Sequence, residues 1–335
     1  MTIRSSWKSV LFAFAFVAAV PLASCSSDRI GVVPPPPPPP PTAPPPPAPP
    51  PPPPPLNLAV VGQGTVFERF SAELWINGST GYTSTWGTRS VNGVQNRGNA
   101  IKIWDVGGQT PVLVDSVIVA DASTTGDVQV TDDGKYLIVA TEPTPGAIVI
   151  YDIQDPRKPV LLTRFNTPDT NNGVHTAEVQ VVNGRLFAFL CIDPRNGASA
   201  RLVIVDITVP SAPITVFSKA MGNPYIHDVF VRDGLLMTAL WNDGLAIFDI
   251  GGGGKGGSVS NPIQIGATST VGGKVHNIFW YRDPSNGSKR FAFIGEEGPG
   301  SIGSSSIGDI HVVDVSDLTK PHEVAFFTLA SAGVH

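Results

Sequence analysis

Four of the six histidines share one recurring setting: VHTAE around His175, IHDVF around His227, VHNIF around His276 and a terminal VH at His335. Each opens a short apolar run that reads as a strand. Counted back from the turn that follows, His175 lies two residues further out than His227, so both side chains fall on one strand face. Imidazoles gathered in this way could hold Zn²⁺ or another transition metal such as Cu²⁺ or Ni²⁺. Asp228, Asn277 and Glu178 stand close enough in sequence to orient the rings.

Other chemistry is thin. No Gly-x-Ser-x-Gly elbow occurs, since GSSSIG at Gly303 has the wrong spacing. There is no His-Glu-x-x-His pair, phosphate-binding loop or calcium-binding loop, and no catalytic residue is assigned. The runs DPRNG at Asp193 and DPSNG at Asp283 carry oxygen ligands for Ca²⁺, but Pro and Gly explain both as turns. GGGGKGG at Gly251 reads as a flexible connector. Glu296 and Glu297 are adjacent on a strand and so point to opposite faces, which excludes a carboxylate dyad. Trp75, Trp86, Trp241 and Trp280 fit an aromatic core better than a sugar platform. Cys191, in the apolar LFAFLCI, reads as a buried small hydrophobe.

The elements that must position the histidines repeat. From Leu56 onward, short β-branched runs alternate with Gly, Asp, Asn and Pro, and no stretch has a helical period. An Asp closes one run per repeat at Asp105, Asp152, Asp206, Asp249 and Asp314, at intervals of 47, 54, 43 and 65 residues. That spacing suits four strands with variable loops. One unit reads VHTAEVQVV, RLFAFLCI, RLVIVDI, ITVFSKA, with Asn183-Gly184 between the first two runs as a hairpin signal. The five Asp residues read as corners: each carboxylate can accept backbone amides just ahead while the prolines that follow set the turn. A four-stranded antiparallel unit apolar on both faces is unstable alone, and stacking units around an axis covers both. The predicted fold is therefore an all-β propeller of four-stranded antiparallel blades. In this fold a structural role competes for the histidines. A His before an inner strand can knit its blade by bonding to the Asp that ends the third strand, and recurrence from blade to blade favours a fold element over a site.

Leu202-Val203-Ile204-Val205-Asp206 resembles the LVIVD-repeat family of bacterial and archaeal extracellular proteins, with looser copies ending at Asp105, Asp152, Asp249 and Asp314. The resemblance covers about residues 58 to 335. It implies a propeller and no particular activity. Five full units are legible, and the last four residues resemble the start of a sixth. LNLAVVGQG at Leu56 resembles an outer strand with no blade before it. The expectation is a propeller of six or seven blades over 56–335, incomplete at the C-terminus, with a closed five-bladed ring as the alternative.

Residues 1–24 read as an export signal, with Arg4 and Lys8 ahead of an 11-residue apolar run from Val10 to Val20. That run is too short for a membrane span of about 20 residues. Leu22-Ala23-Ser24-Cys25 resembles the bacterial lipobox, which implies cleavage before Cys25 and its lipidation. With Ser26 following, it also implies sorting to the outer membrane or cell surface. After a short segment 25–33, residues 34–55 contain 19 prolines in 22 positions. The expectation is a polyproline II tether of about 70 Å. Losing Arg4 and Lys8 takes the formal charge from −5 to −7, and such an acidic chain has no footprint for nucleic acid. The expected partners are a membrane through the lipid on Cys25 and an extracellular or periplasmic protein, peptide or glycan. The expected function is a tethered binding scaffold. The alternative is a propeller enzyme with a metal on the histidine cluster.

Overall fold

The computed structural model describes residues 59–298 and 308–328. The signal segment, Cys25, the proline tether and His335 lie outside the described residues. Every described element is a strand. Strands β1 (Phe70–Asn77), β2 (Thr80–Trp86), β5 (Ala100–Asp105) and β6 (Val112–Ile118) make the first sheet, with a hairpin of β3 (Thr88–Val91) and β4 (Val94–Arg97) inserted. The second holds β7 (Val128–Val130), β8 (Tyr136–Thr141), β9 (Ala147–Asp152) and β10 (Val160–Phe165). The third runs β11 (Val174–Val182), β12 (Arg185–Ile192), β13 (Arg201–Asp206) and β14 (Ile214–Ala220). The fourth is β15 (Asp228–Arg232), β16 (Leu235–Ala239), β17 (Leu245–Asp249) and β18 (Ile263–Thr268), and the fifth β19 (Val275–Trp280), β20 (Phe291–Glu296), β21 (Ile310–Asp314) and β22 (His322–Phe327). All five are antiparallel meanders, the blades of a β-propeller.

Strand alternation explains the stacking. Ala188, Leu190 and Ile192 of β12 join Val203 and Val205 of β13 in a core shared with Ile138, Ile148 and Ile150 of the second sheet. Phe187, Phe189 and Cys191, with Leu202 and Ile204, turn the other way onto Val229, Val231, Leu236 and Phe248 of the fourth. The central sheet thus buries both faces, and equivalent cores join the first sheet to the second and the fourth to the fifth. Burying one Leu or Ile contributes about 2 kcal/mol, which an isolated sheet would forfeit on one face. Asn183 and Gly184 take φ of 50° and 78°, and Asp233 and Gly234 take 53° and 69°, as two-residue hairpins require.

Residues 59–66 form no strand, unlike the outer strand expected near Leu56. The segment instead lies on the first sheet. Gly64 backs onto the Trp104 ring so closely that a Cβ there would meet it at 2.6 Å, and Glu68 pairs with the buried Lys102.

Candidate functional site

Three of the predicted histidines converge. His175 is the unpaired residue of a bulge between Val174 and Thr176, and His276 that of a bulge between Val275 and Asn277. A bulge turns one side chain out of the alternating pattern. His227 immediately precedes β15, with its amide bonded to the Ala239 carbonyl. Nε2 of His175 lies 2.9 Å from Nε2 of His227, and the His227 and His276 ring centroids are 3.8 Å apart. The rings line a cavity of about 860 Å³ walled by Trp86, Tyr225 and Trp241. Trp241 stacks on His227 at 5.7 Å, with its backbone in the left-handed region at φ 54°. A large side chain there is uncommon. Its carbonyl accepts the Val275 amide at 3.1 Å, tying the fourth sheet to the fifth.

Three carboxylates meet the imidazoles. Glu142 and Asp193 approach Nδ1 of His175 at 3.4 and 3.8 Å, and Glu297 approaches Nε2 of His276 at 3.9 Å. Arg195 sits beside Asp193 at 3.1 Å and Glu142 at 3.7 Å. Burial opposes charge on the His175 ring. Hydrogen bonding and attraction from Glu142, with Asp193 and Asp127 behind it, outweigh burial and lift the ring to about 9. The same contact holds Glu142 below the usual carboxylate range against its own burial. Burial pushes Asp193 up. His227, His276 and Glu297 form one group of potential metal ligands within 4.8 Å of one another, and Glu142, His175 and Asp193 form a second.

The knitting contact anticipated for the histidines falls to other residues. In the third sheet His175 lies at the Val174–Ile192–Arg201 end, whereas Asp206 pairs with Phe187 at the opposite end. Histidine and strand-closing Asp cannot meet within a blade. The stitching is done by inner-strand side chains that bond to the next sheet. Asp127 accepts the Ala177 amide at 2.8 Å, and Gln129 exchanges two bonds with Val179. Glu178 and Asp228 accept the amides of Val231 and Ile278. Burial, reinforced by repulsion from Glu73 on Asp127, from Asp127 on Asp228 and from Asp228 on Glu178, pushes Asp127 to about 6 and Asp228 to about 7, and raises Glu178 strongly.

Each of the five strand-closing Asp residues accepts the amide two residues ahead: Asp105 from Gly107, Asp152 from Gln154, Asp206 from Thr208, Asp249 from Gly251 and Asp314 from Ser316, at 2.8–3.0 Å. The glycine run after Asp249 is not a loose connector, because Gly253, Lys255 and Gly257 also donate to that carboxylate.

Of the acids of the site, Glu142 was not singled out from sequence, Asp193 was weighed as a Ca²⁺ ligand and read as a turn, and Glu297 was weighed with Glu296 as a carboxylate pair and set aside. Their signal is positional. Glu142, Asp193 and Glu297 each come directly after the second strand of a blade, at β8, β12 and β20. Antiparallel pairing returns that position to the end where the first strand begins.

The LVIVD repeat is matched at residues 197–220 and 306–328, the third and fifth copies. No curated protein sequence matches the chain. Among solved structures, a candidate 6-phosphogluconolactonase from Bacteroides fragilis superposes with a TM-score of 0.53 at 12% identity, over 76% of this chain and 69% of that one. A periplasmic gluconolactonase from Pseudomonas aeruginosa gives 0.46 at 10% identity, over 81% and 88%. The former likeness is one of fold.

Proposed function

We propose that this chain, which carries the LVIVD repeat on a β-propeller, is an exported lipoprotein whose channel mouth binds a divalent transition metal and, through it, a small polar ligand. One observation carries the reading: the His175, His227 and His276 rings converge in contact at the mouth of one cavity. Their partners decide where the ion goes. Glu142 and Asp193 already have Arg195 beside them as a counter-charge. The group assigned to the cation is His227, His276 and Glu297, which offers two imidazoles and one carboxylate, with His175 adjacent. Two imidazoles and a carboxylate suit Zn²⁺ and leave a position open to the cavity for water or an oxygen donor.

The signal, Cys25 and the tether support delivery to the outer membrane or cell surface, with the propeller held off the bilayer. In this reading the binding scaffold presents the channel mouth to its ligand, and the metal makes contact. Replacing Zn²⁺ by Co²⁺ tests it. The full chain should show ligand-field absorption of a low-coordinate site, and His227→Ala/His276→Ala should abolish that band. A folded double variant with an unchanged spectrum would refute the assignment.

A further inference from the structure

His227, His276 and Glu297 come from separate stretches of the chain, yet one short turn reaches the backbone that carries each of them. The turn joins β16 to β17 and reads Leu240-Trp241-Asn242-Asp243-Gly244. It closes on itself, the Leu240 amide donating to the Gly244 carbonyl at 2.9 Å and the Asp243 amide to the Leu240 carbonyl at 3.0 Å. Gly244 sits at φ 82°, and a Cβ there would meet the Thr268 carbonyl oxygen at 2.3 Å, so the end of β18 backs the turn. The Asn242 amide fastens it to the Asn223 carbonyl at 3.1 Å.

Three lines run from this turn. The first goes to His227: Ala239, at the end of β16, accepts the His227 amide at 2.9 Å, and the Trp241 indole lies on the imidazole at 28° between planes. The second goes to His276. The Trp241 carbonyl accepts the amide of Val275 at 3.1 Å, directly before the bulge that turns His276 out of the strand pattern. The third goes to Glu297. Oδ1 of Asn242 accepts the Lys274 ammonium at 2.9 Å, and the Lys274 carbonyl accepts the Glu297 amide at 3.2 Å.

Strand register shows what sets Trp241 apart. Thr176, Asp228 and Asn277 each follow a channel histidine, and they pair with Cys191, Ala239 and Gly295. Two residues beyond those partners stand Asp193, Trp241 and Glu297. The fourth sheet thus carries an indole where the third and fifth carry a carboxylate. An indole ring offers a metal no ligand atom of the kind a carboxylate does, and this one is 2% exposed, so its contribution is to hold its neighbours. Its left-handed backbone persists because the surroundings over-determine it.

We propose that the 240–244 turn sets the spacing of His227, His276 and Glu297, with Trp241 and Asn242 as the positioning residues that shape this group for its metal. The inference rests on the metal reading of the channel and adds the device that builds the site. Groups that orient ligands without touching the ion change metal affinity by about 10- to 100-fold.

Co²⁺ titration of the chelator-stripped full chain tests it, together with long-range ¹H–¹⁵N spectra of the imidazoles in the metal-free chain. Trp241→Ala should weaken Co²⁺ by about tenfold and shift the ligand-field band. Trp241→Phe, which keeps a ring on His227, should restore most of both. Asn242→Ala should weaken Co²⁺ by a similar factor, whereas Asn242→Asp, which keeps an oxygen for Lys274, should not. In the metal-free chain Asn242→Ala should displace the His276 imidazole signals, although its own bond is to Lys274. Parental affinity, band and imidazole signals in folded Trp241→Ala and Asn242→Ala would overturn the proposal, even if both variants melt at lower temperature. A parent without a Co²⁺ band that depends on His227 and His276 would refute the metal reading instead. The metal-free spectra then decide the role of the turn, which stands if Asn242→Ala displaces the His276 signals and falls if they stay parental.

Discussion

Arg195 and Asp193 lie 3.1 Å apart in the wall of the cavity that the three imidazoles line, and the guanidinium also faces Glu142 at 3.7 Å. That pair divides the channel into two unequal halves. On one side the carboxylates beside His175 have a fixed cation, and on the other His227, His276 and Glu297 form a ligand group of two imidazoles and one carboxylate. The division makes the first prediction. Arg195→Ala removes the resident charge and should open the Glu142–His175–Asp193 group to a second ion, raising the Zn²⁺ bound at the channel from one equivalent to two. Metal analysis checks it, and unchanged uptake would show that Arg195 does not set the count.

Asp249 governs the corner of the fourth sheet. Burial opposes its charge, yet amides of Gly251, Gly253, Lys255 and Gly257 outweigh burial and hold the carboxyl down at about 2. An unfolded Asp titrates near 3.9. A depressed folded value contributes stability above the unfolded value and loses it as pH falls through the folded one. Chemical denaturation of the parent should therefore lose this contribution between about pH 4 and pH 2. Asp249→Ala should cost on the order of 3 kcal/mol at neutral pH and should flatten the pH dependence in that window.

Burial of both faces of the third sheet gives a packing test. Phe189 and Leu190 are neighbours on β12, both fully buried, and they point to different sheets. Phe189→Ala and Leu190→Ala should each cost about 3 kcal/mol. The losses should add to within about 0.5 kcal/mol, because the two side chains share no core. A cheap substitution at either position would mean that one face is not packed.

Much of this was readable from the letters. The strands VHTAEVQVV, RLFAFLCI and ITVFSKA span the residues of β11, β12 and β14, because period-two apolar runs end at turn residues with mechanical reasons to be there. The convergence of His175, His227 and His276 was legible too, since an equivalent position in successive blades must face one axis. Their chemical company was not. Glu142 and Asp193 lie 33 and 18 residues from His175 in the chain, and only antiparallel return of the second strand brings them to it. The stitching carboxylates were hidden for a similar reason. Asp127, Glu178 and Asp228 bond to the next sheet, and the pattern inside one repeat carries no mark of its neighbour. The ordered glycine loop after Asp249 also misled, because composition shows freedom and not the carboxylate that removes it.

The most direct measurement is an anomalous difference map from crystals of the full chain grown with Zn²⁺ and collected on both sides of the zinc absorption edge. The account predicts a peak within about 2.1 Å of an imidazole nitrogen of His227 and of His276 and of a Glu297 oxygen. A map without a peak at the channel mouth, with those three side chains ordered and the rings still in contact, would contradict it.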